Sequence, residues 1–97
     1  MTMPDGADAE LSSLRKRLIF RSWHRGTREM DLIMGRFADL AVPGMKPAEL
    51  ADYAKLLEEN DPDIYDWVCG RAAVPEASDS AVLRHLISHS FPEPHKS

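Results

Sequence analysis

A chain of 97 residues, 43% hydrophobic and 29% charged, has material for one hydrophobic core and no second domain. The net charge of -4 and pI near 5.5 argue against a nucleic-acid partner, because phosphate binding needs clustered, unopposed Lys and Arg. A lone cysteine, Cys69, cannot close an intramolecular disulfide, which suits a reducing compartment, and its apolar neighbours Trp67 and Val68 mark it as a small core side chain.

Residues 1–8 are acidic, without a basic or apolar run, and are expected to be a disordered tail, neither a signal peptide nor an Arg-rich presequence. No apolar run approaches the roughly 20 residues that span a bilayer, so no membrane role is expected, and a bacterial cytoplasm fits best. Strand-like alternation never persists, whereas helical spacing recurs between Pro and Gly signals. The expected fold is therefore all-α: a compact five-helix antiparallel bundle over residues 9–91, followed by a loose tail over 92–97.

The first helix is expected from about Ala9 to His24, with Leu11, Leu14 and Leu18 on one stripe widened by Ile19, Phe20 and Trp23. The second is the strongest amphipathic pattern: Met30, Ile33, Met34, Phe37, Ala38 and Ala41 fall on one face, ended by Pro43-Gly44. Met30, Met34 and Trp23 would serve the core or a weak dimer equally. A third helix opens at Pro47 and carries Leu50, Tyr53, Ala54 and Leu57 to about Asn60. A fourth follows with Asp61 as N-cap, Pro62 at the first helical position, Asp63 as a first-turn charge and Trp67 in the core, ending at Gly70. The fifth is expected from about Glu76 to Ser90, with Val82, Leu83, Leu86 and Ile87 together before Pro92.

Between the first two helices lies Arg25-Gly26-Thr27-Arg28-Glu29-Met30-Asp31, a group of charges around a glycine. Gly26 permits a sharp turn and close approach, and Thr27 can cap the second helix. Arg28 and Asp31, three apart, can pair; Arg25 and Glu29 would lie side by side if the helix ran on through Gly26. The group reads either as a solvated face with weak ion pairs or as a protein-docking surface of charge-assisted hydrogen bonds.

Two blocks favour docking. Arg25-Gly26-x-x-Glu29, together with Leu56-Leu57-Glu58 and Asp61-Pro62-Asp63 leading to Trp67, resembles the succinate dehydrogenase assembly factors that promote covalent flavinylation, over about residues 10–90. The resemblance implies a five-helix fold and a partner, the succinate dehydrogenase flavoprotein subunit, leaving fumarate reductase flavoproteins open as further clients. Arg25, Gly26 and Glu29 would contact that subunit near its flavin, with Arg28 and Asp31 shaping the same surface, while Asp61, Pro62, Asp63 and Trp67 are structural. It further implies an assembly factor and not an enzyme, without catalytic residues. FAD is carried by the partner and no cofactor is bound by the chain itself, in the bacterial cytoplasm or, for eukaryotic relatives, the mitochondrial matrix. His24 stands where such proteins often carry a second Arg or Lys.

Three rival readings stand beside this one. His85 and His89, at i and i+4, have metal-ligand spacing but no supporting motif, so no metal is expected. No Gly-rich strand-to-helix turn is present to cradle a dinucleotide. An antitoxin-like regulatory module would suit the same small acidic helical chain.

Overall fold

The computed structural model describes residues 6–90, with side chains from residue 9 onward. It holds five α-helices: α1 (Gly6–Ser22), α2 (Arg28–Ala41), α3 (Pro47–Leu56), α4 (Asp61–Cys69) and α5 (Ala81–Ser90), with no strand among the described residues. The all-α expectation holds, with shifted boundaries. Helix α1 starts at Gly6, inside the stretch read as a tail, and stops at Ser22, two residues short of His24. The expected C-terminal tail lies outside the described residues.

Helix α2 begins where its cap dictates. Thr27 is extended, at φ -127° and ψ 150°, and its hydroxyl accepts from the Met30 N–H at 3.2 Å. The face read from spacing is the buried one: Met34, Phe37 and Ala38 have no exposed surface and Met30 retains 3%. Met30 and Met34 therefore belong to the chain's own core rather than to a dimer surface. At its far end the chain tightens into a 3-10 turn over Val42–Gly44 that contains Pro43.

Helix α3 is held at its start by Glu49, whose carboxylate accepts from the Lys46 N–H at 2.8 Å. It ends at Leu56, earlier than Asn60, because the N–H groups of Glu58 and Glu59 bond three residues back and unwind the last turn. Asn60 takes the N-cap position of α4, so Asp61 is the first helical residue and Pro62 the second. The cap assigned to Asp61 is thereby displaced, and its carboxylate is free for another task. Gly70 closes α4 in the left-handed conformation, φ 80°.

The expected fifth helix is two pieces. A 3-10 turn over Glu76–Ser78 is followed by a break at Asp79, after which Ser80 starts α5 by accepting from the Leu83 N–H at 3.0 Å. Val82, Leu83 and Leu86 then close the core against α2, α3 and α4. Each such fully buried aliphatic or aromatic side chain stabilises the fold by about 1.5–3 kcal/mol before entropy is counted. Phe37 sits at the centre, tilted against Tyr53 at 5.7 Å and meeting the rings of His85 and His89 edge-on at 5.1 and 5.7 Å.

Phe20 departs from its expected core role. It is 62% exposed and stacks on His24 at 4.0 Å, because the side of α1 facing the bundle is taken by Leu18 and Ser22.

Candidate docking site at the glycine corner

The chain leaves α1 at Ser22 and turns through Gly26, which adopts φ +124°, a conformation that residues with a Cβ rarely reach. A Cβ built there would meet nothing within 4 Å, so the glycine is required by its backbone angle while the space above it stays open to an approaching partner. Asp31 holds the turn. Its Oδ1 accepts from the N–H of Arg25 at 2.6 Å and of Gly26 at 3.2 Å, groups that no helix satisfies. The expected pairing of Arg28 with Asp31 is therefore absent: the helix begins only at Arg28, and the carboxylate reaches back to the turn instead.

Arg25 faces inward. Its Nε and Nη2 reach Asp61 Oδ1 at 2.8 and 2.7 Å, Nη1 donates to the Leu57 carbonyl at 2.8 Å, and Nη2 also donates to the Glu59 carbonyl at 3.0 Å. Its side chain is 10% exposed. A planar guanidinium satisfies this set because its donors are fixed in a fork, which an ammonium cannot imitate. The two carbonyls are those that the unwound end of α3 leaves without helical partners, and Asp61 is the residue freed from capping α4. Arg25 thus fastens the α1–α2 corner to the α3–α4 junction and joins the two sequence blocks in space. It does not lie beside Glu29 on one helix, since the path breaks at Gly26.

Glu29 is exposed on the first turn of α2. Its carboxylate accepts one hydrogen bond, from the Tyr65 hydroxyl of α4 at 3.3 Å. The Arg71 guanidinium lies 5.4 Å from the centre of the Tyr65 ring, and a hydrogen bond with Cys69, followed by the nearby Glu29 charge, pushes the phenol above its ordinary range. Cys69 is half-buried rather than a core residue. Arg28 is exposed and joins no ion pair among the described residues. Asp63 is exposed on the first turn of α4 and Trp67 is buried at 7% exposure.

Beside Gly26 the surface dips into a shallow concavity of about 620 Å³ that includes Trp23, His24, Arg28 and Leu32. The His24 Nδ1 lies 2.7 Å from the Phe20 carbonyl, so that nitrogen carries the proton and Nε2 is the outward end of the ring. No cluster of three or more His, Cys, Asp or Glu is placed to hold a metal ion among the described residues.

Two residues of this site carry no signal in the sequence, and a third, Tyr65, stands in the second block only as an aromatic before Trp67, with no role of its own. Gly35 hid inside α2, where glycine adds nothing to an apolar stripe, yet its missing side chain makes room for the Trp23 indole: an added Cβ would lie 2.2 Å from Cδ2. The Trp23 Nε1 completes this joint by donating to Asp39 at 3.1 Å. Ser22, fully buried, anchors the end of α1 through its hydroxyl.

Comparison with known proteins supplies the family. The model described as "Flavinator of succinate dehydrogenase" matches residues 16–90, a span holding the whole corner and both sequence blocks. The chain belongs to this family. A succinate dehydrogenase assembly factor 2 of Dictyostelium discoideum mitochondria is 38% identical over 86 residues, covering 89% of this chain and 61% of that protein. The FAD assembly factor SdhE of Acetobacter pasteurianus is 38% identical over 84 residues, covering 87% and 77%. A mitochondrial assembly factor 2 of Debaryomyces hansenii reaches 47% over 53 residues, covering 55% and 37%. The chain thus spans less than two thirds of its Dictyostelium relative, and the flavinator family has both bacterial and mitochondrial members. No described helix is long and apolar enough to cross a membrane.

Proposed function

We propose that this chain binds the flavoprotein subunit of succinate dehydrogenase and promotes covalent attachment of FAD to it, acting as an assembly factor and not as an enzyme. The observation that carries this reading is the corner itself. Asp31 and Arg25 fix it from behind, Gly26 presents bare backbone, and Glu29 and Arg28 stand exposed on the same helix turn. A rigid, charged, unshielded corner loses little entropy on docking and lets a partner approach main chain closely.

The flavin, carried by the partner, supplies the reactivity of the bond-forming step. This chain's contribution is positional: by binding one arrangement of the subunit it favours alignment of the subunit's reacting side chain with the flavin. Glu29 is a docking carboxylate with one lobe held by Tyr65 and the rest of its acceptor capacity open to an N–H donor of the subunit. Arg28 meets the subunit as a cation, whereas Arg25, Asp31 and Asp61 act by holding the corner. The site of action is the compartment in which the flavoprotein matures, the cytoplasm of a bacterium.

Glu29 gives the cleanest test, since it is exposed and its loss costs the fold only one long hydrogen bond. The flavoprotein subunit is co-expressed with wild-type or Glu29→Ala chain in cells lacking their own assembly factor, and covalent flavin is read as fluorescence on a denaturing gel. Glu29→Ala is expected to retain its melting temperature and lose most of the covalent flavin signal. Full flavinylation with the variant, or equal flavinylation without the chain, would overturn the reading.

A further inference from the structure

The chain is acidic, yet its charge is unevenly laid out. From Leu11 to Arg28 there is no acidic residue, while Arg15, Lys16, Arg17, Arg21, Arg25 and Arg28 supply half of the chain's 12 lysines and arginines. The structure divides these six. Arg25 is consumed by Asp61, Arg15 donates to the Met45 carbonyl at 2.7 Å, and Arg21 pairs with Glu58 at 2.6 Å on the surface. Lys16, Arg17 and Arg28 are exposed and join no ion pair among the described residues.

These three lie along one path. Lys16, Phe20 and His24 follow at intervals of four, with Arg17 beside Lys16, and the path runs into the concavity at Gly26 where Arg28 stands. Phe20 supplies an exposed ring stacked on His24, whose outward Nε2 lies on the same path. The one carboxylate lining the concavity, Asp31, is occupied by two backbone N–H groups, and Glu10 lies near Arg17 two turns earlier.

We infer that Lys16, Arg17, Phe20, His24 and Arg28 form a basic stripe with one aromatic anchor that extends the Gly26 corner along α1 and docks an acidic surface segment of the flavoprotein partner. This rests on the docking role proposed for the corner. Its cations, set on a chain of opposite net charge, orient the approach so that an acidic strip is drawn to α1 and away from α3, α4 and the junction between them, where Asp52, Glu59, Asp63 and Asp66 repel it. Phe20 then adds contact area that slows dissociation.

The test measures association of the purified chain with the FAD-loaded flavoprotein subunit by stopped flow over a range of sodium chloride. Lys16→Glu combined with Arg17→Glu is expected to lower the on-rate about tenfold at low salt and flatten its salt dependence. Phe20→Ala is expected to raise the off-rate severalfold with the on-rate kept. Reversing two exposed lysines outside the stripe, Lys46→Glu with Lys55→Glu, should leave the on-rate unchanged. Circular dichroism confirms that each variant is folded.

Wild-type kinetics in the α1 reversal, or equal loss in the control reversal, would overturn the stripe. If Glu29→Ala abolishes binding while the reversal leaves it intact, the corner docks without the stripe; if neither matters, the docking reading falls as well. Two further outcomes would also overturn it with subunit binding intact: loss, on reversal, of binding to phosphatidylglycerol vesicles or mixed RNA, and loss of self-association at low salt.

Discussion

At the scale of single residues, Arg25 shows why a charged motif need not be a contact motif. Its guanidinium serves one carboxylate and two carbonyls at 2.7–3.0 Å with its side chain 10% exposed, so removal leaves three acceptors short of a donor. Arg25→Ala is expected to destabilise the chain by about 2–4 kcal/mol, read as a lower urea midpoint, because breaking a largely buried pair costs more than the pair contributes. Arg25→Lys keeps the charge but not the fork, and should recover part of that loss at most. If both variants keep wild-type stability and lose only flavinylation, Arg25 is a contact and its inward geometry is incidental. The motif was legible in the sequence as a group of residues, but the division of roles within it was not. Local spacing gave Asp31 to Arg28, and no local rule could see that an unwound helix end 32 residues away would present carbonyls to Arg25. Gly26 was legible as a turn; its φ of +124° adds that a substitution strains the backbone by about 1–3 kcal/mol even where space is free.

At the scale of elements, the helices were read correctly wherever an apolar face repeated, and their ends shifted wherever a polar group made the decision. The face of α2 was complete in the spacing of Met30, Met34, Phe37 and Ala38. The end of α3 moved because two N–H groups bond three residues back, and the start of α5 because Ser80 outcompetes the 3-10 turn before it. The α1–α2 joint depended on an absence, the missing side chain of Gly35 under the Trp23 ring. Although alanine has the better helix propensity by about 1 kcal/mol, Gly35→Ala is expected to lower stability by about 1–3 kcal/mol, since a methyl 2.2 Å from a rigid indole must displace it. Thermal unfolding by circular dichroism measures the sign. A double-mutant cycle locates the cause: in a Trp23→Ala background Gly35→Ala should cost little or become stabilising. Equal cost in both backgrounds would place the strain elsewhere.

At the scale of the whole molecule, the docking corner is supported by a buried polar link that ties three helices together. Ser22 Oγ donates to the Leu18 carbonyl at 2.7 Å, which uses its single hydrogen, so at 2.6 Å it is the Tyr53 hydroxyl that donates to Ser22 Oγ; the Met34 carbonyl lies 3.5 Å from the same phenol. Burial pushes the Tyr53 phenol up to about 12, with Ser22, Arg25 and Arg21 opposing in smaller measure. The sign follows from linkage. The folded value lies above the ordinary 10, so the neutral phenol is favoured by folding, the associated stability is fully present below pH 10, and it is lost as pH rises toward about 12. The slope from this one group approaches about 1.4 kcal/mol per pH unit within that window. Tyr53→Phe removes the titrating hydroxyl and strands the Ser22 oxygen, so it should cost about 1 kcal/mol at neutral pH and then decline less steeply than wild type above pH 10. Urea midpoints from pH 8 to 11.5 distinguish this from general alkaline repulsion, which both proteins share: converging curves assign the extra slope to Tyr53, and parallel curves would mean that the phenol titrates at the same pH folded as unfolded. Because Ser22 ends α1 and the Gly26 turn follows four residues later, this buried link ties the end of the corner to the core, as Arg25 does at its rim.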